Sequence, residues 1–439
     1  MTQSRWRKLA YWLSLGLGVV LAWGMLSPVL AQSPPKVVDP LDHPDSIYVQ
    51  PAAPASPAPR VSEPEIRGVW LTTNDTRMLR DRPRLAQAMA QLANLNFNTV
   101  YPVIWNSGYV TYPSPVAQRH NIQPFVIRGI QDNYDILAEV INQAHCQGLL
   151  AIPWFEFGFM APETSELVMQ HPNWVTQRRD GTKTWVGAAG EVVWLNPFHP
   201  EVQKFITDLV VEAISQYDVD GIQFDDHMSL PNEFGYDPYT IALYKQETQK
   251  EPPAHPQATD WVKWRADKIT AFMKQLNQAI QARKPNIIVS VSPNPYPSAY
   301  KSSLQDWVAW INQNIVDELI VQIYRPTLEA FLAQIARPEL QAAKSKIPTA
   351  VGVLSGLRTT LMPISLVKAK VTAAQTDGLG VAFFYYESLW NNGPEPPDIR
   401  QAGIQSLFAW PATRSRRVQC SSGTITPASS PPPAPIIAN

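Results

Sequence analysis

The sequence predicts an α/β fold, a (β/α)8 TIM barrel with disordered Pro-rich N- and C-terminal extensions. Three observations lead there. Between about residues 64 and 410, eight short and largely apolar strand segments alternate with helical segments. That is the pattern of a parallel sheet covered by helices, and eight units close a barrel. Carboxylates, amides and aromatics gather at the strand ends, where such barrels place their chemistry. An open doubly wound sheet would carry a Gly-rich phosphate loop after its first strand; Thr72-Thr-Asn-Asp75 stands there instead.

The units follow in order. Arg67–Thr73 reads as the first strand and 82–95 as its helix. Strands at 97–104, 149–156 and 220–226 are followed by helices at 134–147 (after the second), 200–217 (after the third) and 261–283 (after the fourth). Strands five to eight read at 287–292, 318–324, 348–354 and 380–386, with helices at 303–313, 328–335, 364–375 and 398–408. The apolar runs suit strands buried on both faces, and the helical segments are long enough to cover them.

The ends of the chain differ in kind. Arg5, Arg7 and Lys8 precede an almost uncharged apolar run, Leu9 to Leu26, and Val29-Leu30-Ala31 offers small residues for cleavage. Residues 1–31 are therefore expected to be a signal peptide or, uncut, an N-terminal membrane anchor, which places the chain in the periplasm or cell envelope. Residues 32–63 form a Pro/Ala-rich linker, residues 64–410 the folded domain, and residues 411–439 a Pro/Ser-rich tail; neither flank can bury a core. The chain of 439 residues is 45% hydrophobic and 17% charged, and its net charge of −1 leaves no basic surplus to neutralise phosphates, so no nucleic-acid partner is expected. The two cysteines, Cys146 and Cys420, make no framework.

The densest chemistry lies at Asp220-Gly-Ile-Gln-Phe-Asp-Asp-His227. Strand alternation puts Gln223 and Asp225 on one face and Ile222 and Phe224 on the other, with Asp226 expected to point away from Asp225. Carboxylates ending an apolar strand cost stability unless water, hydrogen bonds or counter-charges meet them, so the run points to an active site. The other strand ends supply Asn74, Trp105, Asn106, Tyr109, Trp154, Glu156, Asn294, Tyr324, Tyr386, Glu387 and Trp390. Such a set suits glycosidic bond cleavage, which needs one carboxylic acid, one carboxylate, and aromatics to hold the sugar. Asp225 is the candidate nucleophile or base. Glu387 or Glu156 is the candidate acid, raised in pKa by Trp390 or Trp154. Asp225, Asp226 and His227 could instead ligate a metal, but no second histidine pair completes a site, and neither metal nor cofactor is expected. A noncatalytic glycan-binding barrel would use the same aromatics without the carboxylates.

Four segments together resemble the glycosyl hydrolase-like 10 family: Arg67-Gly-Val-Trp70, Phe97-Asn-Thr-Val-Tyr-Pro-Val103, Trp194-Leu-Asn-Pro197 and the Asp220–His227 run. The likeness covers roughly residues 64–390. It implies a (β/α)8 barrel and an exported enzyme acting on polysaccharide, some members of the family cleaving peptidoglycan glycan strands. It also marks Trp194-Leu-Asn-Pro197 as a structural or substrate-edge element, with Trp194 and Asn196 as candidate substrate contacts. The run is similar, too, to the Gly-x-Arg-x-Asp pattern of the α-amylase clan, with Gly221 and Asp225 in place and Gln223 where that clan has Arg. The resemblance thus implies an exported glycoside hydrolase of peptidoglycan glycan, with another extracellular or storage polysaccharide as the alternative substrate.

Overall fold

In the computed structural model, residues 65–123, 134–187, 190–412 and Arg414 are described. The expectations for residues 1–63 and most of the tail lie outside them. Among the described residues no helix is long and apolar enough to cross a membrane.

Eight parallel strands close a barrel: β1 (Arg67–Leu71), β2 (Thr99–Asn106), β3 (Leu150–Ala151 and Trp154–Phe155), β4 (Gly221–Asp225), β5 (Ile288–Ser292), β6 (Glu318–Gln322), β7 (Thr349–Leu354) and β8 (Gly380–Phe384). Closure comes from β1, which pairs in parallel with both β8 and β2. Helices ring the barrel as α1 (Arg82–Asn94), α2 (Ile136–Cys146), α3 (Pro200–Gln216), α4 (Thr259–Arg283), α5 (Trp307–Asn312), α6 (Leu328–Ile335), α7 (Ile364–Thr376) and α8 (Pro397–Gln405). Several start where a side chain captures an orphan backbone N–H. Asp81 caps α1 through Arg84 N, Asp135 caps α2 through Ala138 N, and Thr327 caps α6 through Ala330 N.

Three segments depart from the sequence reading, each for a local reason. β3 is two short pieces because Pro153 has no N–H to give a ladder. The helix expected at 303–313 begins at Trp307. Leu304 adopts a left-handed φ of 55° and ends a separate helix, Ser298–Ser303, while Asp306 caps the next one through Ala309 N. β8 stops at Phe384, and a further helix, Tyr386–Asn391, follows at once, with Ser388 Oγ accepting from Tyr385 N at 2.9 Å. Tyr386, Glu387 and Trp390 thus ride on a helix over the mouth of the barrel. Between β3 and α3 the chain also builds a three-stranded antiparallel sheet from Met160–Pro162, Thr184–Gly187 and Gly190–Trp194.

The barrel interior is not wholly apolar. Trp70 Nε1 donates to Gln223 Oε1 at 2.7 Å, Gln223 Nε2 to Ser290 Oγ at 3.0 Å, and Ser290 Oγ to Glu318 Oε1 at 2.8 Å. Tyr101 adds a hydroxyl donor to Glu318 at 2.9 Å. Its ring crosses Gly68, where a Cβ would come within 2.5 Å of it. Glu318 is 1% exposed, and its counter-charge is Arg414, which reaches in from beyond α8 to pair with it. The folded unit therefore extends to Arg414.

Two other buried arginines hold the loops at the mouth. Arg265 on α4 donates to the carbonyls of Asn232, Phe234 and Pro256 at 2.5–2.6 Å, fixing the loop after β4. Arg400 on α8 donates to the carbonyls of Met362, Ser388 and Leu389, tying the loops after β7 and β8 together. Carbonyl cages of this kind satisfy a guanidinium that water no longer reaches.

Removing one partner of a buried pair leaves an uncompensated charge. Arg414→Ala is expected to cost about 3–5 kcal/mol of unfolding free energy, read by urea denaturation. The double change Glu318→Gln, Arg414→Met should recover much of that loss, because it removes both charges.

Candidate active site

At the corner where β3 and β4 end, two carboxylates and the backbone carbonyl of Glu156 meet one imidazole. Glu156 follows β3, Asp225 is the last residue of β4, and Asp226 and His227 open the turn after it. His227 Nδ1 lies 2.9 Å from the Glu156 carbonyl oxygen, 3.3 Å from Asp225 Oδ2 and 3.4 Å from Asp226 Oδ1. A carbonyl can only accept, so this nitrogen carries a proton. The expected alternation of Asp225 and Asp226 fails because the strand stops at Asp225; the turn swings Asp226 back toward the same imidazole.

Glycine makes this corner possible. Gly158 has φ +48°, and a Cβ there would lie 2.4 Å from the backbone of His227, so only glycine lets the two loops touch. Phe159 N donates to His227 O at 3.1 Å, and Trp105 Nε1 donates to Gly158 O at 3.0 Å. Trp105 is fully buried and packs edge-on against Phe205 of α3, so it anchors the corner from the helix side.

Burial sets the electrostatics. Glu156 is 6% exposed, and desolvation pushes its carboxyl up to about 8. The Asn106 amide, which donates to Glu156, opposes the rise, while the charges of Asp225 and Asp226 add to it. Asp225 is likewise raised, first by burial and then by Asp226. Burial works against a charged His227, but the two aspartates overcome it and lift the imidazole to about 10. At neutral pH the corner therefore holds a protonated Glu156 beside an imidazolium–aspartate cluster.

Donors from neighbouring strands complete the cluster. Ser292 Oγ of β5 and Gln322 Nε2 of β6 donate to Asp225 Oδ1 at 2.9 and 2.5 Å, Gln305 Nε2 donates to the Asp225 carbonyl at 2.9 Å, and Asn294 Nδ2 donates to Asp226 Oδ2 at 2.5 Å. Gln322 and Gln305 are absent from the sequence reading. Gln322 had a signal, since it falls on the inward face of β6 two steps of alternation from Glu318; Gln305 sits in a loop and had none. Asp225, Asp226 and His227 place ligand atoms within 4.8 Å of one another. Nδ1, the nitrogen nearest the aspartates, is occupied as a donor, so the set fits a hydrogen-bonded ion cluster better than a cation site.

The remaining candidates distribute around the mouth. Glu387 lies on the β1–β8 side, away from this corner: its N–H donates to Asp75 Oδ1 at 2.8 Å, and its carboxylate is 3.5 Å from Arg358. Asp75, 3% exposed, is raised to about 7 by burial, with the Glu387 charge adding. The carbonyl of Asn74 accepts from Arg358 at 3.4 Å. Tyr386 and Trp390 pack edge-on at 6.0 Å on the same side. Tyr324 bridges the halves: its ring is 5.6 Å from Phe384, and its hydroxyl is raised by burial and by Asp225, Asp226 and Glu156. Trp154 packs 6.1 Å from Trp70 and 6.3 Å from Phe384, while Trp194 lies 6.5 Å from His227. The indole N–H groups of Trp154, Trp194 and Trp390 are buried without a hydrogen-bond partner among the described residues. Tyr109 pairs with Asn106 in a short antiparallel turn beside Glu166. Gln223 and Asn196 are spent internally. Gln223 joins Trp70 to Ser290, and Asn196 donates to Asp237 at 3.0 Å and Thr240 at 2.9 Å.

Comparison with known proteins agrees with this architecture. The family model described as glycosyl hydrolase-like 10 matches residues 65–373. Glycosyl hydrolase DigH of Escherichia coli (strain K12) is 26% identical over 324 residues, covering 64% of this chain and 71% of that one. Glycosyl hydrolase YngK of Bacillus subtilis (strain 168) is 24% identical over 293 residues, covering 60% and 54%. Among solved structures, the PgaB (BpsB) glycoside hydrolase domain from Bordetella bronchiseptica superposes with a TM-score of 0.56 at 15% identity, over 79% of this chain and 98% of that one. The α-L-fucosidase isoenzyme 2 from Paenibacillus thiaminolyticus gives 0.55 at 13% identity, over 78% and 49%. These two likenesses concern the fold. The family match, spanning the barrel from β1 into α7, makes the chain a member of the glycosyl hydrolase-like 10 family and a glycoside hydrolase.

Proposed function

We propose that the chain hydrolyses the glycan strands of peptidoglycan outside the cytoplasm, by a two-carboxylate mechanism centred on the corner of β3 and β4. The observation that carries the mechanism is a buried Glu156, raised to about 8 by desolvation with the Asp225 and Asp226 charges adding, at a corner where its backbone carbonyl is tied to His227 Nδ1. Glycosidic hydrolysis needs one carboxyl that is still an acid at working pH and one that is already an anion. Glu156 meets the first requirement, and the imidazolium-paired β4 carboxylates meet the second. Tyr324, half-buried at the mouth, offers an aromatic ring beside the corner, while Trp154 and Trp194 pack behind it.

The substrate and the location rest on different ground. An apolar N-terminal run behind a basic start, followed by a Pro/Ala-rich spacer, suits an exported protein held at the envelope. Peptidoglycan is the glycan that such a protein meets there, and the relatives named glycosyl hydrolase support the class of enzyme. The test is digestion of purified, peptide-free peptidoglycan glycan by the full-length chain, with release of short saccharides expected. Binding without release would favour a noncatalytic glycan-binding protein instead.

Two outcomes follow for Glu156. Glu156→Gln should lower kcat on that glycan by about 10²–10⁴-fold, whereas Glu387→Gln, on the far side of the mouth, should stay within about tenfold of wild type. Wild-type kcat/KM should fall as pH rises through about 8, where Glu156 loses its proton.

The same shift reports on stability, because the folded chain holds a proton that the unfolded chain releases from about pH 4.5 upward. That contribution is fully present below the unfolded value and is lost as pH rises through the folded one. The difference in unfolding free energy between wild type and Glu156→Gln should therefore move against wild type between about pH 5 and 9. A pH-independent difference would contradict the raised pKa.

A further inference from the structure

We infer that Asp226, and not Asp225, is the β4 carboxylate that meets the reacting sugar, while Asp225 positions it through His227. The inference rests on the two-carboxylate reading above and divides the labour within the β4 pair.

The two side chains are one residue apart but differently engaged. Asp225 is the last residue of β4 and is gripped by its neighbours in the sheet. Its Oδ1 accepts from Ser292 Oγ at 2.9 Å and Gln322 Nε2 at 2.5 Å, and its Oδ2 faces the His227 Nδ1 proton at 3.3 Å. Its side chain is 5% exposed. A carboxylate has about four lone-pair sites. On Asp225 the donors come from β5, β6 and the turn after β4, so a reacting carbon or water would have to displace part of the barrel's own wiring.

Asp226 is held by one good donor. Asn294 Nδ2 reaches Oδ2 at 2.5 Å, Oδ1 lies 3.4 Å from His227 Nδ1 where Asp225 Oδ2 lies 3.3 Å from it, and the Asp225 carboxyl is within hydrogen-bonding reach. Its side chain is 16% exposed, about three times as open as Asp225. Being first in the turn, it stands above the strand end rather than within the sheet. Asn294 fixes its direction, and Oδ1 is left with lone pairs for chemistry. Asp225 then serves Asp226 indirectly, by keeping the imidazolium where both aspartates need it. Burial and the neighbouring Asp226 charge raise the Asp225 carboxyl.

The chemistry balances in either stereochemical course. As the bond between the anomeric carbon and the glycosidic oxygen breaks, the leaving oxygen takes the Glu156 proton. The carbon regains an electron pair from Asp226, in an ester that water then opens, or from a water whose proton Asp226 takes. One water is consumed, and both carboxyls return to their starting states.

The test uses four variants of the full-length chain on peptide-free peptidoglycan glycan: Asp226→Asn, Asp225→Asn, Asp226→Gly and Asp225→Gly. Asp226→Asn should lose about 10³-fold or more in kcat with its unfolding midpoint unchanged or raised. Asp225→Asn should lose less activity but unfold at lower denaturant, with the imidazole of His227 titrating lower than in wild type by NMR. Added azide should restore turnover to Asp226→Gly and not to Asp225→Gly. Azide rescue of Asp225→Gly alone, or an Asp226→Asn variant within tenfold of wild type, would overturn the assignment. If wild type leaves this glycan uncut, the substrate reading fails. The assignment is then judged on the folding and NMR arms, where equal destabilisation by both Asn variants overturns it.

Discussion

A carboxyl group removed from water must keep its proton or find a positive partner, and that constraint shapes the mouth of this barrel. A glutamate and two aspartates gather at one corner, where one imidazole lies against both aspartates and the glutamate's backbone carbonyl. Desolvation resolves the crowding unevenly. Glu156, whose nearest donor is a neutral amide, retains its proton, while the aspartates after β4 draw the histidine into its cationic form. Chemically similar groups thereby acquire opposite roles from their surroundings alone.

Holding such a cluster requires a stiff frame, and the frame is covalently distant from the site. The corner exists because Gly158 lets the loop after β3 lie against the backbone of His227, and because Trp105 pins that loop from the helix side. The loops over the mouth are fixed by guanidinium groups that have left water entirely, Arg265 for the loop after β4 and Arg400 for those after β7 and β8. Deeper in the barrel, hydrogen bonds run from Trp70 through Gln223 and Ser290 to Glu318, which is neutralised by Arg414. Polar groups in these places are tolerated because each is met by a partner, and they specify one arrangement of strands where apolar side chains alone would allow several.

Much of this could be read in the residues. Alternating apolar strands and amphipathic helices disclosed the barrel, and the chain of Asp220 to His227 disclosed the strand whose end carries the chemistry. Glu156 was visible for the same reason, as a carboxylate closing an apolar segment. What escaped was whatever depended on the exact place where an element stops. The reading carried β8 to residue 386, which put Glu387 at a strand end; the helix that starts at Tyr386 turns it toward Asp75 and Arg358 instead. Strand alternation placed Asp226 opposite Asp225, and one residue of turn reversed that. Gln305 and Gly158 act through contacts far apart in sequence, which no local pattern announces. Asn196, in a segment read as structural or at the substrate edge, and Gln223 are ties within the fold.

The central claim is that Glu156 is still a neutral acid at neutral pH. It is tested most directly by infrared titration of its carboxyl C=O stretch, assigned as the band that Glu156→Gln removes. The account predicts a protonated band that persists through neutral pH and disappears with a midpoint near 8. A carboxyl that is already ionised at pH 6, titrating in the ordinary glutamate range, would contradict it.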